Sequence, residues 1–370
     1  MNQAAKERFL ISPFLVFFLI NGTQVGIGAL SFQRLVMKKA GHDAWIAVII
    51  TGIIAHLLIW IMYKLFAHSS NAEDIVSIHK HYFGKWVGFV FSFALLVYFS
   101  LLAFTVLQTY IEIIKIWMFP LIGAWQLSLI FLALTYYTVL GGFRVVTGLC
   151  FWSVVIPLLT IFPMLFFPLE YAHYRNLLPV FDHSISEIVA GTKAMSLQYL
   201  GMEMLIVYYP FIKQPEKSHK WAQWGNAFTT FFYLIVMLIA IVFYNEEQIQ
   251  HITWPTLTLA KIPEVPFMER MEYIIISIYV LVVFPIICIA VWSASRIAKK
   301  LFSIKQRRFV PVILLLLFIA TLWFEEKEQI ERLNKWTSTI GLYIVIFYIP
   351  ALYIYVKAAN KIKKMVQQKS

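Results

Sequence analysis

The chain has 370 residues, of which 61% are hydrophobic and only 14% charged, and its formal net charge is +12. A soluble domain sits near half apolar and a quarter charged, so an ordinary soluble enzyme is excluded. No basic face with interleaved aromatics lies outside the apolar runs, which excludes nucleic-acid binding, and the positive charges fall in loops where a membrane explains them.

The apolar residues form runs of about 20, the length that spans a hydrocarbon core. The predicted spans are 10–36, 44–66, 86–108, 123–140, 144–167, 187–211, 221–244, 271–296, 309–324 and 335–357. The third can run on to Met118. The first is not expected to be a cleaved signal peptide, because no small-residue cleavage site follows it. Between spans two and three, Ala72 to Phe83 is periodic enough for a short surface helix. Residues 245–270, with the stretches TWPTL and KIPEVP, read as irregular extended structure. Cys150 and Cys288 both fall inside apolar spans and read as buried single thiols. The expected unit is one membrane domain, 1–370, with a basic tail at 358–370 that grips anionic headgroups.

With the N terminus inside, the inner segments hold 20 of the 31 Lys and Arg residues. Both termini are therefore expected on the cytoplasmic side. Acidic residues such as Glu325, Glu326 and Glu328 then lie outside.

Two spans, the first and the sixth, are interrupted by polar stretches, Asn21 to Gly28 and Ser196 to Glu203. A helix should not waste hydrogen bonds at mid-bilayer unless the opened backbone faces protein or a cavity. Ten spans split five and five, and an odd number per half gives the halves opposite orientation. The expected fold is thus all-α, ten transmembrane helices, a LeuT-type inverted repeat (about 10–167 and 187–357) with helices 1 and 6 broken, and the binding site between the breaks.

In the first break, Gly26 and Gly28 let a ligand approach the backbone; close helix packing is the competing reading. Asn21, Thr23 and Gln24 beside them favour a real opening. The second break holds Ser196, Gln198, Tyr199, Gly201 and Glu203. An intramembrane acid is costly, and Glu203 can accept an ammonium, carry a proton or hydrogen-bond a neighbouring helix. Lys193 reads as snorkelling outward. His56 reads as a helix–helix hydrogen bond, and Glu112 and Lys115 as reaching the interface. His79 and His81 are a poor basis for a metal, and no metal or cofactor is expected. There is no GxSxG, Walker A, HExxH or CxxC, so no enzyme is expected.

Five pieces give the chain a family resemblance: VGIGALSFQR (Val25 to Arg34), NLLPVF (Asn176 to Phe181), YLGMEMLIVYYP (Tyr199 to Pro210), ITWPTLTL (Ile252 to Leu259) and FMERMEYI (Phe267 to Ile274). In this order they resemble the endospore germination permeases, B subunits of spore germinant receptors, within the amino acid–polyamine–organocation transporter superfamily. The resemblance implies a receptor subunit of the spore inner membrane that recognises a small germinant, typically an amino acid, and works with a membrane-bound A subunit and a lipoprotein C subunit. It places the pocket between the broken helices and the middles of spans three and eight, which adds Tyr98, Leu102, Leu200 and Pro285 as wall residues. Glu269, Arg270 and Glu272 match the family's motif at the entry to span eight, with either a gating role or an ion-paired helix start.

Two departures stand out. The family's Leu-Pro-Arg step after the first break is here Phe32-Gln33-Arg34. The lysine that replaces a sodium ion in the fifth span of some relatives is missing, since none occurs between Arg144 and Phe167. The second departure weakens proton-coupled uptake as an alternative to sensing.

Overall fold

The computed structural model describes residues 9–69, 74–262, 270–324 and 326–367. Among these the architecture is all helical, and the only strand-like feature is an isolated bridge between Ile11 and Ile212. In chain order the helices are α1 (Leu15–Gln24), α2 (Phe32–Ala40), α3 (Ala44–His68), α4 (Ile75–Trp117), α5 (Ala124–Leu140), α6 (Phe143–Met164), α7 (Ile185–Met195) and α8 (Leu205–Tyr208). There follow α9 (Pro215–Phe243), α10 (Glu246–Gln250), α11 (Pro255–Leu259), α12 (Met271–Phe302), α13 (Gln306–Thr321), α14 (Lys327–Tyr343) and α15 (Ile349–Gln367).

Six helical stretches are long and apolar enough to cross a bilayer: Phe32–His68, Ile75–Trp117, Phe143–Tyr171, Pro215–Phe243, Met271–Phe302 and Lys327–Lys363. Leu15–Gln24 and Ala124–Leu140 are shorter but equally apolar. In the middle sits α12, packed along α4 and α6; α9 packs on α1 and α3, and α2 on α7. The two cysteines are buried and unbridged.

Helix starts follow local chemistry. The Asp74 carboxylate accepts the Ser77 N–H at 2.9 Å. Ser184 and Glu187 form a reciprocal capping box at α7, and Pro215 and Pro255 stand at first helical positions, where a missing N–H costs nothing. The Pro255 start corrects one sequence expectation: residues 245–262 are not extended but carry α10 and α11. Proline preset φ for a helix there, and the TWPTL stretch coils behind it. KIPEVP and Glu269 fall largely or wholly at 263–269, outside the described residues, as does Glu325.

Two helices are longer than their apolar runs. α4 continues the surface segment into the span through Gly84, whose φ of 78° bends the chain without ending it. The last span is one ribbon from α14 to α15, joined by a π-helical turn at Ile344–Tyr348.

The bundle has two distinct ends. At one, Ile11 N–H bonds the Phe211 carbonyl at 2.8 Å, Arg144 reaches the Leu10 carbonyl at 2.9 Å, and Asp74 pairs with Lys300 at 2.9 Å. At the other, the turn between α2 and α3 meets residues 181–183 and the start of α10. Burial raises the Asp74 acid, but Lys300 and the Ser77 N–H outweigh it and hold the carboxyl below its usual range.

Candidate functional site

Regular α-helix stops at Gln24. Val25 is extended, Gly26 is extended, and the chain resumes as a 3-10 turn at Ile27–Leu30. The carbonyls freed by this change find partners on other helices. The Tyr233 hydroxyl of α9 donates to the Gln24 carbonyl at 2.8 Å, and the Tyr279 hydroxyl of α12 donates to the Gly26 carbonyl at 2.6 Å. At the far edge, Thr256 donates to the Ala29 carbonyl at 2.9 Å. An unpaired carbonyl at this depth costs several kcal/mol, on the order of a lost bond in hydrocarbon, so these hydroxyls hold the opening in place.

The polar side chains of this stretch are also tied. Asn21 donates to Thr229 at 2.9 Å, and Gln24 to the Asn226 amide oxygen at 2.9 Å. Thr23 turns its hydroxyl back onto the Leu19 carbonyl at 2.8 Å. Gln33, which stands where the family has proline, donates to Thr256 at 2.6 Å. The Trp-Pro-Thr piece is therefore a clasp on the outer part of the first break.

The second stretch follows α7. A 3-10 turn covers Ser196–Tyr199, and Gly201 takes φ 111°, a conformation side chains resist. A Cβ there would lie 2.6 Å from the Thr23 carbonyl oxygen. Glu203 is fully buried. One of its oxygens accepts the Gly201 N–H at 2.8 Å, and the other accepts the Tyr98 hydroxyl at 2.6 Å. The acid thus closes the backbone of its own loop and ties it to α4.

The two stretches meet. Gly201 lies against Thr23, and the side-chain amide of Gln198 occupies the position a Gly28 Cβ would take. The Gln198 amide nitrogen is buried with no hydrogen-bond partner among the described residues, and so is the Gln24 side-chain oxygen. Gly26 faces Ile286 of α12. A small cavity of about 50 Å³ opens beside Asn21, Val25, Ser153 and Tyr279, room for one or two waters. A larger one of about 410 Å³ lies on the other flank, between α3, α7 and the π turn, where Ser196, Tyr199 and Leu200 line it.

Of the residues singled out from sequence, Thr23, Gly26, Gly28, Tyr98, Gly201 and Glu203 converge on the meeting of the two stretches. Leu200 and Tyr98 pack together against Gly341 of α14. Tyr199 reaches Thr230 at 2.9 Å. Ser196 is placed apart, with its hydroxyl on the Lys193 carbonyl at 2.7 Å. Leu102 and Pro285 are buried in α4 and α12, but the α12 side chains that reach the first break are Tyr279 and Ile286. Sequence reasoning named Gln198 only in passing and missed Tyr233, Tyr279 and Asn226. Their signal was available: a phenol or amide at mid-span needs a partner when buried.

Elsewhere, His56 bonds Gln223 of α9. His79 is buried against Ser92 and Tyr348, whereas His81 is exposed, so these two do not converge. Arg270 pairs with Glu272 at 3.2 Å, as an ion-paired helix start would.

Comparison with known proteins follows the same outline. The family model described as spore germination protein matches residues 10–330. Spore germination protein GerQB of Bacillus cereus is 40% identical, over 98% of this chain and 100% of that protein. Spore germination protein YndE of Bacillus subtilis (strain 168) is 24% identical over 88% and 90% of the two chains. Spore germination protein A2 of the same strain is 20% identical over 95% and 96%. The crystal structure of MhsT in complex with L-phenylalanine superposes with a TM-score of 0.59 at 13% identity, covering 94% of this chain and 98% of that one. The last likeness establishes a LeuT-like fold and nothing further.

Proposed function

Because the chain belongs to the spore germination protein family, a family of permease-like membrane proteins and not of enzymes, we propose that it is the B subunit of a germinant receptor. In this reading it binds a small germinant, an amino acid, between residues 21–28 and 196–203. It signals to A and C partner subunits through movement of its helices. It crosses the spore inner membrane ten times, as two inverted repeats of five with helices 1 and 6 broken, and keeps both termini in the cytoplasm.

The observation that carries the reading is the Gln198 amide lodged beside Gly28 with its nitrogen unpartnered. An unsatisfied buried donor costs about 1–3 kcal/mol. A carboxylate or other anionic group entering here would remove that cost, and Gln198 must swing aside to admit it. Glu203 is engaged on both oxygens, so its part is to shape the second break. The missing lysine in the fifth span supports sensing over proton-coupled uptake.

The test is binding of a labelled amino-acid panel to the purified protein, with uptake into proteoliposomes run in parallel. Saturable binding that disappears in Gly28→Leu, with no uptake, is the expected result. Binding with counterflow would make the protein a permease instead. No saturable binding by any amino acid would overturn the ligand class.

A further inference from the structure

A second cluster lies at the end of the bundle where α2 turns into α3. His42, His183 and Glu246 come from three separate segments: the turn after α2, the approach to α7, and the first turn of α10. Each presents a ligand-type atom, and these atoms lie within 4.8 Å of one another. His42 Nδ1 is 2.8 Å from Glu246 Oε1, which also accepts the His42 backbone N–H at 2.8 Å. The His42 and His183 rings stand edge to face, 5.1 Å between centroids.

Several features distinguish this cluster from a surface ion pair. His42 Nε2 and His183 Nδ1 are both buried with no hydrogen-bond partner among the described residues. His183 Nδ1 faces Asp43 Oδ2 at 3.5 Å, which leaves Nε2 directed to Gly41, where Glu246 Oε1 also lies. Asp43 is itself fully buried and committed: it accepts the N–H groups of Phe181 at 2.9 Å and His183 at 3.1 Å. A carboxylate behind an imidazole is the arrangement that fixes ring orientation at metal sites. Gly41 has φ 47°, and a Cβ there would fill the space between Glu246 and His183. The backbone has been kept bare where the three ligand atoms close in.

We propose that His42, His183 and Glu246 bind a divalent transition metal of the zinc class, with Asp43 as the positioning residue for His183. Two imidazoles and one carboxylate suit such an ion. Tetrahedral coordination at about 2.0–2.2 Å brings ligand atoms to roughly 3.5 Å apart, a contraction of about one ångström or less from the present spacing. The bound ion would staple the end of α2 to the start of α7, the two helices that lead into the candidate germinant site. The proposal does not depend on what occupies that site.

The experiment is titration of the full-length, metal-stripped protein, purified without a histidine tag, with Zn²⁺ by calorimetry and with Co²⁺ by visible absorption. One ion per chain is expected, with cobalt bands of tetrahedral intensity. His183→Ala and Glu246→Gln should each weaken binding at least 100-fold, and Asp43→Asn about 10–100-fold. His251→Ala, on the same face but outside the cluster, should bind as the parent does. Absence of saturable binding by the folded parent would overturn the proposal, as would undiminished binding in His42→Ala/His183→Ala. Should those variants not fold, X-ray absorption on the Co²⁺-loaded parent decides. Two imidazoles with oxygen support the site; an all-oxygen or sulfur shell refutes it.

Discussion

The two interrupted stretches solve one physical problem in opposite ways. At Val25–Gly26 the loosened carbonyls are satisfied from outside, by tyrosine hydroxyls of α9 and α12. At Leu200–Gly201 the loosened N–H is satisfied from within, by the side chain of Glu203 two residues on. The first stretch is therefore coupled to whatever α9 and α12 do. The second moves as a closed unit whose one outside tie is Tyr98 of α4. A ligand that spreads the two apart meets a responsive wall on one side and a stiff one on the other.

The sharpest way to break this contrast is to attack the stiff wall. Gly201→Leu puts a side chain at φ 111° against the Thr23 carbonyl. Left-handed strain and overpacking together should cost about 2–5 kcal/mol, read as a collapse of thermal stability in detergent. Next comes Glu203→Ala, which strands a buried N–H and the Tyr98 hydroxyl; a loss of about 2–4 kcal/mol is expected, from about 1–3 for each stranded group. Glu203→Gln should be milder and should leave the pH dependence of ligand affinity unchanged. A shift in that pH dependence would return Glu203 to direct ligand contact.

The responsive wall is tested by Tyr233→Phe and Tyr279→Phe. Each should cost about 1 kcal/mol of stability while changing ligand affinity more than Glu203→Gln does. Equal effects on affinity would erase the distinction between the walls. The smallest effect is expected away from both breaks, at Asp74–Lys300. Asp74 is held below its ordinary range when folded, so its stabilisation is complete above about pH 4 and fades as acid takes the pH below that. Asp74→Asn should remove about 0.5–1 kcal/mol at neutral pH and flatten the acid limb of a pH–stability curve.

Much of the framework was legible because lipid imposes so few solutions. An apolar run near 20 residues must become a helix, and most of the long helices lie within a few residues of their apolar runs. The sites where α-helix gives way, Val25–Gly26 and Leu200–Gly201, carry glycine inside polar stretches that the sequence marks. Other features depend on contacts that no local pattern encodes. Gln198 beside Gly28 joins residues far apart in the chain, and the Tyr233 and Tyr279 bonds do the same. The TWPTL stretch was misread because a proline that breaks a strand can also begin a helix. The cluster of His42, His183 and Glu246 has no spacing that local sequence reading could recognise, since its members arrive from three distant loops.

The π turn at Ile344–Tyr348 amounts to one surplus residue in an otherwise continuous helix. Removing any one residue between 344 and 348 would restore ordinary α-helical phase. Everything beyond would then rotate by about 100° and shift by about 1.5 Å. Tyr348 would leave His79, and Asn360, which now joins the His68 carbonyl to the Tyr82 hydroxyl, would turn away from both. A single-codon deletion at this turn would thus unfasten the C-terminal helix from α3 and α4 without altering one of the residues that hold it there.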